Sequence, residues 1–409
     1  MFNTQKIRKD FPQLVRKINK KSIVYLDSTA TALKPHAVID AMNAYYTQFT
    51  ANVFRGIYTT SEEATAAYEG ARDTIAKFIG AKDSREIIFT RNTSESINLV
   101  ATSWGTENLR KGDSVATTIL EHHSNFVPWQ QLAQKHGFVL KVWTIDDDYL
   151  FKLSDLDTLI TRTTKLFTIT AASNVTGTIP PIKEIIKRVK RLNPKCLVLI
   201  DAAQAAAHME VDVQDWGADF VAFSGHKMLG PTGVGVLWGK FALLSQMDPY
   251  QYGGEMIQEV RLEQTSFKEP PHKFEAGTPD IGGVIGLGAA ASYLMSLGMK
   301  NVREHEKKIV VYALKALAKL PYVHVVGPTD IESRAGVVAF TMDGAHPHDI
   351  AQLLNEDNVC VRAGNHCAMP LHEYLELPAT ARASFYVYTT TEDVDALVSG
   401  LKKAHALFA

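Results

Sequence analysis

The sequence predicts an α/β fold: a large unit on a mostly parallel, seven-stranded sheet, followed by a smaller α+β unit. Three observations carry this. Short apolar runs alternate with helical patterns from Glu86 to Leu237, the rhythm of strands covered by helices on both faces. Several of those runs end in small or polar residues, where ligands sit in such sheets. After Met299 the rhythm gives way to a charged amphipathic helix and a few separate strands. The boundary falls near residue 293, with 20–292 in the large unit, 293–409 in the small one, and 1–19 packing on the latter.

In order, Ile7–Ile18 reads as a short helix with Phe11, Leu14 and Ile18 on one side, and Ile23–Asp27 as a strand. His36–Phe49 and Ser61–Ile79 read as helices, with the irregular piece Asn52–Tyr58 between them. The strands of the large sheet are Glu86–Thr90, Ser114–Thr118, Val139–Trp143, Leu166–Thr170, Cys196–Ile200, Phe220–Phe223 and Val234–Leu237. Helices between them include Ser96–Ser103, Asn125–His136 and Ile182–Leu192. The uncharged run Ile281–Met299 is near spanning length. Its glycines and alanines suit a closely packed helix of a soluble core better than one facing lipid. The small unit begins with a helix at Val302–Leu320. It continues with strands at Val323–Val326, Val337–Thr341, Asn358–Arg362 and Phe385–Tyr388, and helices at His348–Asn355 and Glu392–Leu407.

The 409 residues suffice for two or three domain-sized units, and 46% hydrophobic with 21% charged residues is an ordinary globular balance. A net charge of −1 gives no electrostatic reason for a nucleic-acid or membrane partner. Three unpaired cysteines and a polar start without an apolar leader fit a reducing, cytoplasmic setting.

The chemistry centres on Ser224-Gly225-His226-Lys227, where an apolar strand breaks into glycines. A lysine held there loses solvation, which disfavours its charged form and frees the amine to form a Schiff base. An ordinary loop lysine is the competing reading. Asp201 ends another apolar strand, as a helix cap or as the partner of a buried cation. Thr90–Glu95 joins a strand to a helix, as a cap or as a phosphate cradle. Adjacent His122 and His123 lack a third ligand, so no metal is expected; one flat imidazole could stack on a ring. Cys196 and Cys360 lie in apolar runs, whereas Cys367 lies in a Gly/Asn/His loop where a thiol can reach a ligand. Arg382 offers a bidentate grip for a carboxylate, or a structural ion pair.

Taken together, Leu26-Asp27-Ser28, Arg55–Tyr58, Glu121–Asn125, Asp201–Gln204, Ser224–Lys227, Phe274–Pro279 and Arg362–Ala368 resemble the group II cysteine desulfurases of the SUF iron–sulfur assembly system. The resemblance covers nearly the whole chain. It implies the fold type I architecture of pyridoxal phosphate (PLP) enzymes. Carried over, Lys227 would hold PLP and later move the α-proton. Asp201 would pair with the ring nitrogen, Gln204 and Asn174 would contact the ring oxygen, and His123 would stack on the ring. Thr93, Ser94, Ser224 and His226 would bind the phosphate, joined by Thr278 from a second subunit, which implies a homodimer with composite sites. Arg382 and Asn174 would bind the L-cysteine substrate, and Cys367 would take its sulfur as a persulfide for a SufE-like or SufU-like acceptor. Thr29, Phe54, Asn365 and Thr389 depart from the family pattern. Selenocysteine lyase and cysteine sulfinate desulfinase are the nearest alternatives, followed by an aminotransferase-like enzyme and a non-catalytic sulfur-handling scaffold.

Overall fold

A computed structural model describes residues 2–408. Seven strands form the central sheet, in the order Ile87–Thr90, Gly235–Gly239, Phe220–Ser224, Leu197–Asp201, Thr164–Thr170, Ser114–Thr118 and Val139–Trp143. Only Gly235–Gly239 runs against its neighbours; the other pairings are parallel. Apart from Lys165 and Leu197 near their starts, the sheet's middle strands are buried, as expected when helices cover both faces.

The uncharged run forms the helix Ile281–Leu297, packed between His36–Gln48 and Thr59–Phe78. Its glycines allow the close approach: a Cβ on Gly288 would fall 2.7 Å from that of Ala71. Among the described residues no single helix is long and apolar enough to cross a membrane.

A second core lies between the helices Met299–Leu317, Pro347–Glu356 and Thr391–Phe408 and an antiparallel sheet ordered Val323–Val326, Val337–Met342, Thr380–Ser384, Arg362–Gly364. Val24–Tyr25 pairs in parallel with Val359–Cys360, and Asp27 bridges Ser384, so this early stretch joins the small unit's strands. Near the start of the chain, the Phe11 ring sits edge-on to Tyr388, centroids 4.8 Å apart, and Arg8 pairs with Asp393.

Several elements differ from expectation. The first helix is only Thr4–Arg8, then a 3-10 turn at Pro12–Val15. Pro12 disfavours the helical region for Phe11, which is extended. Arg382 lies within a strand rather than ahead of one. Phe385–Tyr388 is not a strand, because Thr389 turns back to Tyr386 through its backbone N–H and its hydroxyl. The expected strand Asn358–Arg362 splits at Val361 into two short strands with different partners.

Candidate active site

A cavity of ≈ 260 Å³ opens at the carboxyl ends of the central strands and is closed by the small unit. Thr93, Ser94, Asn174, Asp201, Ser224, His226, Lys227, Cys367 and Arg382 all line it.

Lys227 ends a single 3-10 turn that follows the strand Phe220–Ser224. Burial pushes its amine below the ordinary lysine range, against the pull of Asp201. Asp201 is 3% exposed; burial raises its carboxyl, while the Lys227 charge and the Ala203 N–H, 2.9 Å away, oppose this.

The helix Thr93–Val100 opens on the cavity, capped by Asn92, whose Oδ1 accepts from the Glu95 N–H at 3.0 Å. At its first turn the Thr93 N–H donates to Ser224 Oγ (2.8 Å) and Ser94 Oγ meets Ser124 Oγ (2.5 Å). The strand beside it must carry glycine: a Cβ on Gly235 would sit 2.5 Å from Asn92 Cα. Backbone N–H groups and hydroxyls at a helix start suit a phosphate.

From the small unit, Arg382 donates to the Asn174 carbonyl (2.9 Å) and to Asp27 Oδ1 (3.2 Å). Burial lowers its guanidinium to about 10. Cys367 is exposed on its loop; it and His366 both adopt positive φ, 58° and 51°. Asn365 Oδ1 accepts from the Cys367 N–H at 3.1 Å, and Asn174 Nδ2 donates to the His366 carbonyl at 2.7 Å.

The histidine over the cavity is not the expected one. His122 lines it, and burial with the nearby Lys227 charge pushes its imidazole down to about 3, so the ring is neutral. Its Nδ1 accepts from the Ser124 N–H at 3.1 Å. His123 turns away: its Nε2 accepts from the Met369 N–H at 3.0 Å and its own N–H donates to the Cys367 carbonyl at 2.8 Å. The cause is local. His122 is the extended N-cap and His123 the first helical residue, so the two side chains diverge. Gln204 stands in the wall rather than the lining, its Nε2 donating to the Thr29 carbonyl at 3.1 Å. Thr278 lies apart, in a hollow with Gly233, Tyr250 and Gly277. Ser124, Arg362 and His366 line the cavity without having been singled out as site residues, and so does Thr29, which the resemblance marks as a departure from the family pattern near the expected substrate position. Arg362 was detectable in principle, as a cation in an apolar strand run; it shares Asp27 with Arg382 at 3.2 Å.

The residues present fit PLP. Of ten buried side-chain polar atoms without a partner among the described residues, four, Thr29 Oγ1, Gln204 Oε1, His366 Nδ1 and Arg382 Nε, belong to this cavity or its wall. Unmatched buried polar atoms are costly, so their clustering points to a polar ligand. The buried acid, the desolvated lysine and the helix start match a ring nitrogen, an aldehyde and a phosphate in turn.

Comparison with known proteins agrees. The chain is 48% identical over 406 residues to a probable cysteine desulfurase of Halalkalibacterium halodurans, covering 99% of each chain. It is 45% identical over 407 residues to a cysteine desulfurase of Serratia proteamaculans, again covering 99% of each. Among solved structures, the apo cysteine desulfurase of Thermococcus onnurineus superposes with a TM-score of 0.93 at 40% identity, covering 98% of this chain and 97% of that one. The cysteine desulfurase CsdA of Escherichia coli, as its S-sulfonic acid, gives 0.92 at 38% and covers 100% of both. The family described as aminotransferase class-V matches residues 24–397. With relatives this similar along almost its whole length, the chain belongs to the class-V aminotransferase family.

Proposed function

We propose that this enzyme is a PLP-dependent cysteine desulfurase: it takes sulfur from L-cysteine, releases L-alanine and holds the sulfur as a persulfide on Cys367. The observation that carries the reading is that the Lys227 amine and the Cys367 thiol, from different units, line one cavity together with Arg382. A substrate held there meets an amine at one end and a sulfur acceptor at the other.

Bound PLP supplies an electron sink for the electrons left when the α-proton departs. The rest falls to side chains. Lys227, whose charged form burial disfavours, would hold the cofactor and, once displaced by substrate, would carry the α-proton. Asp201 would pair with the ring nitrogen and favour its protonated form. Thr93, Ser94, Ser224 and His226 would hold the phosphate, completed by Thr278 from a second copy of the chain in a homodimer. Asn174, with Gln204 from the cavity wall, would contact the ring oxygen. His122, rather than His123, would cover the ring face; as a neutral flat imidazole it would stack without adding charge. Arg382 grips the substrate carboxylate. Cys367 Sγ then attacks the substrate sulfur, so that the C–S bond breaks as an S–S bond forms.

The Arg362–Met369 loop resembles that of group II enzymes of the SUF system. In that reading the persulfide passes to a SufE-like or SufU-like acceptor for iron–sulfur cluster assembly in the cytoplasm, and the chain divides near residue 293. The deciding assay is alanine and sulfide release from L-cysteine, with and without a candidate acceptor. Cys367→Ala should abolish turnover while retaining PLP absorbance; unchanged turnover in that variant overturns the reading.

A further inference from the structure

Thr29 lines the cavity and is only 2% exposed. Both its backbone groups are engaged: its N–H donates to Ser384 Oγ at 3.0 Å, and its carbonyl accepts from Gln204 Nε2 at 3.1 Å. The backbone is thereby pinned between the wall of the large unit and a strand of the small one. Its hydroxyl has no partner among the described residues. A hydroxyl this buried is rarely left unmatched, so it is waiting for a ligand atom.

The surroundings say which. Ser384 follows Arg382 by two positions on the strand Thr380–Ser384. Asp27, two positions before Thr29, accepts from both Arg382 and Arg362 at 3.2 Å. Thr29 therefore stands beside the arginines of the cavity. Arg382 Nε is the other unmatched donor in that wall. A hydroxyl and a guanidinium N–H left free at one end of a site match an anionic oxygen pair.

We propose that Thr29 is a substrate-recognition residue, its hydroxyl donating to the carboxylate of the bound amino acid beside Arg382 Nε. The proposal rests on the desulfurase reading for the identity of the substrate, but the contact itself requires only an α-amino acid. The test is a titration of the PLP-loaded enzyme with L-alanine, which carries the carboxylate and no sulfur, followed through the cofactor's visible absorbance. KM and kcat for L-cysteine are measured alongside. Thr29→Val keeps the shape and removes the hydroxyl. It should weaken L-alanine binding and raise KM about tenfold, with kcat within twofold and cofactor occupancy unchanged. Thr29→Ser should behave as the parent. Thr29→Ala, which removes atoms without crowding, should follow Thr29→Val even if the valine packs badly. Parent-like L-alanine binding in both Thr29→Val and Thr29→Ala overturns the proposal. So does a loss of cofactor occupancy, which would assign the hydroxyl to PLP, or a Thr29→Ser as weak as the valine. If the parent binds L-alanine through Thr29 but releases nothing from L-cysteine, the functional reading fails and this contact stands.

Discussion

Asn174 Nδ2 donates to the His366 carbonyl at 2.7 Å, and so fastens the large unit to the residue before Cys367. The carbonyl of Asn174 accepts from Arg382 Nη1 at 2.9 Å. One side chain and its own backbone thus place both the thiol loop and the arginine. Asn174→Ala should lower L-cysteine turnover about a hundredfold, the cost of misplacing reacting groups by about 1 Å. Alkylation of Cys367 by iodoacetamide without substrate should speed up as the loop loosens. Parent-like values for both would show that Asn174 does not hold the loop.

Lys227 should show its desolvation during cofactor uptake. Burial lowers its folded pKa, so at a given pH more of the amine is neutral than for a free lysine. The rate at which the PLP-free enzyme takes up PLP should rise with pH around a midpoint below the ordinary ~10.4. Lys227→Ala should lose the visible band of the parent. A midpoint at or above the ordinary value contradicts the burial argument.

Glu121 gives a pH signature of its own. Its carboxyl is 2% exposed and accepts from Thr118 Oγ1 (2.6 Å), the Thr170 N–H (2.9 Å) and Asn125 Nδ2 (2.6 Å). Burial still raises it to about 8 from the ordinary carboxylate value near 4.5, with a smaller push from Asp201. Between those values the folded state holds a proton that the unfolded state has lost, so this group's contribution to stability falls as pH rises. Glu121→Gln mimics the neutral form and should be spared that loss. Chemical denaturation at pH 5 and pH 8 should show the glutamine variant gaining on the parent at the higher pH; an equal gap at both rejects the assignment.

Arg72 and Glu275 meet at 2.7 and 2.9 Å, with Tyr68 and the Phe89 N–H on the same carboxylate. The guanidinium also lies 4.5 Å from the centroid of the Phe89 ring. Removing Glu275 takes away the buried partner of Arg72 and leaves it only the more exposed Glu69 as an ion-pair partner, while Tyr68 and the Phe89 N–H lose their acceptor. Glu275→Ala should cost about 3–5 kcal/mol in denaturant unfolding. Because Glu275 leads into Gly277 and Thr278, cofactor affinity should fall with it. A change under about 1 kcal/mol, the range typical of surface pairs, would place the pair in solvent instead.

Much of the fold was legible because apolar strands flanked by helices leave a periodic trace. Ser114–Thr118, Val139–Trp143 and Ile182–Leu192 appear with the bounds read from sequence. The nine lining residues expected from the motifs do meet in one cavity. What escaped depends on phase and on distance in the chain. Which of His122 and His123 faces the cavity is decided by a one-residue junction between extended and helical backbone, and composition is blind to that. Arg362 was not singled out because its bond to Asp27 spans the chain from end to end. Thr278 lies outside this chain's cavity; its expected place on the phosphate belongs to the cavity of a second copy of the chain.

The amine and the buried acid sit on the seven-stranded sheet, while the thiol and both arginines hang from the four-stranded one; the helices that join the halves break at Gly298. Severing the chain there would take from the small unit the Val24–Tyr25 strand that pairs with its Val359–Cys360, and would split one reagent set between two halves. The catalyst is a property of their pose, so inherited changes that tilt one half must be matched by changes in the other.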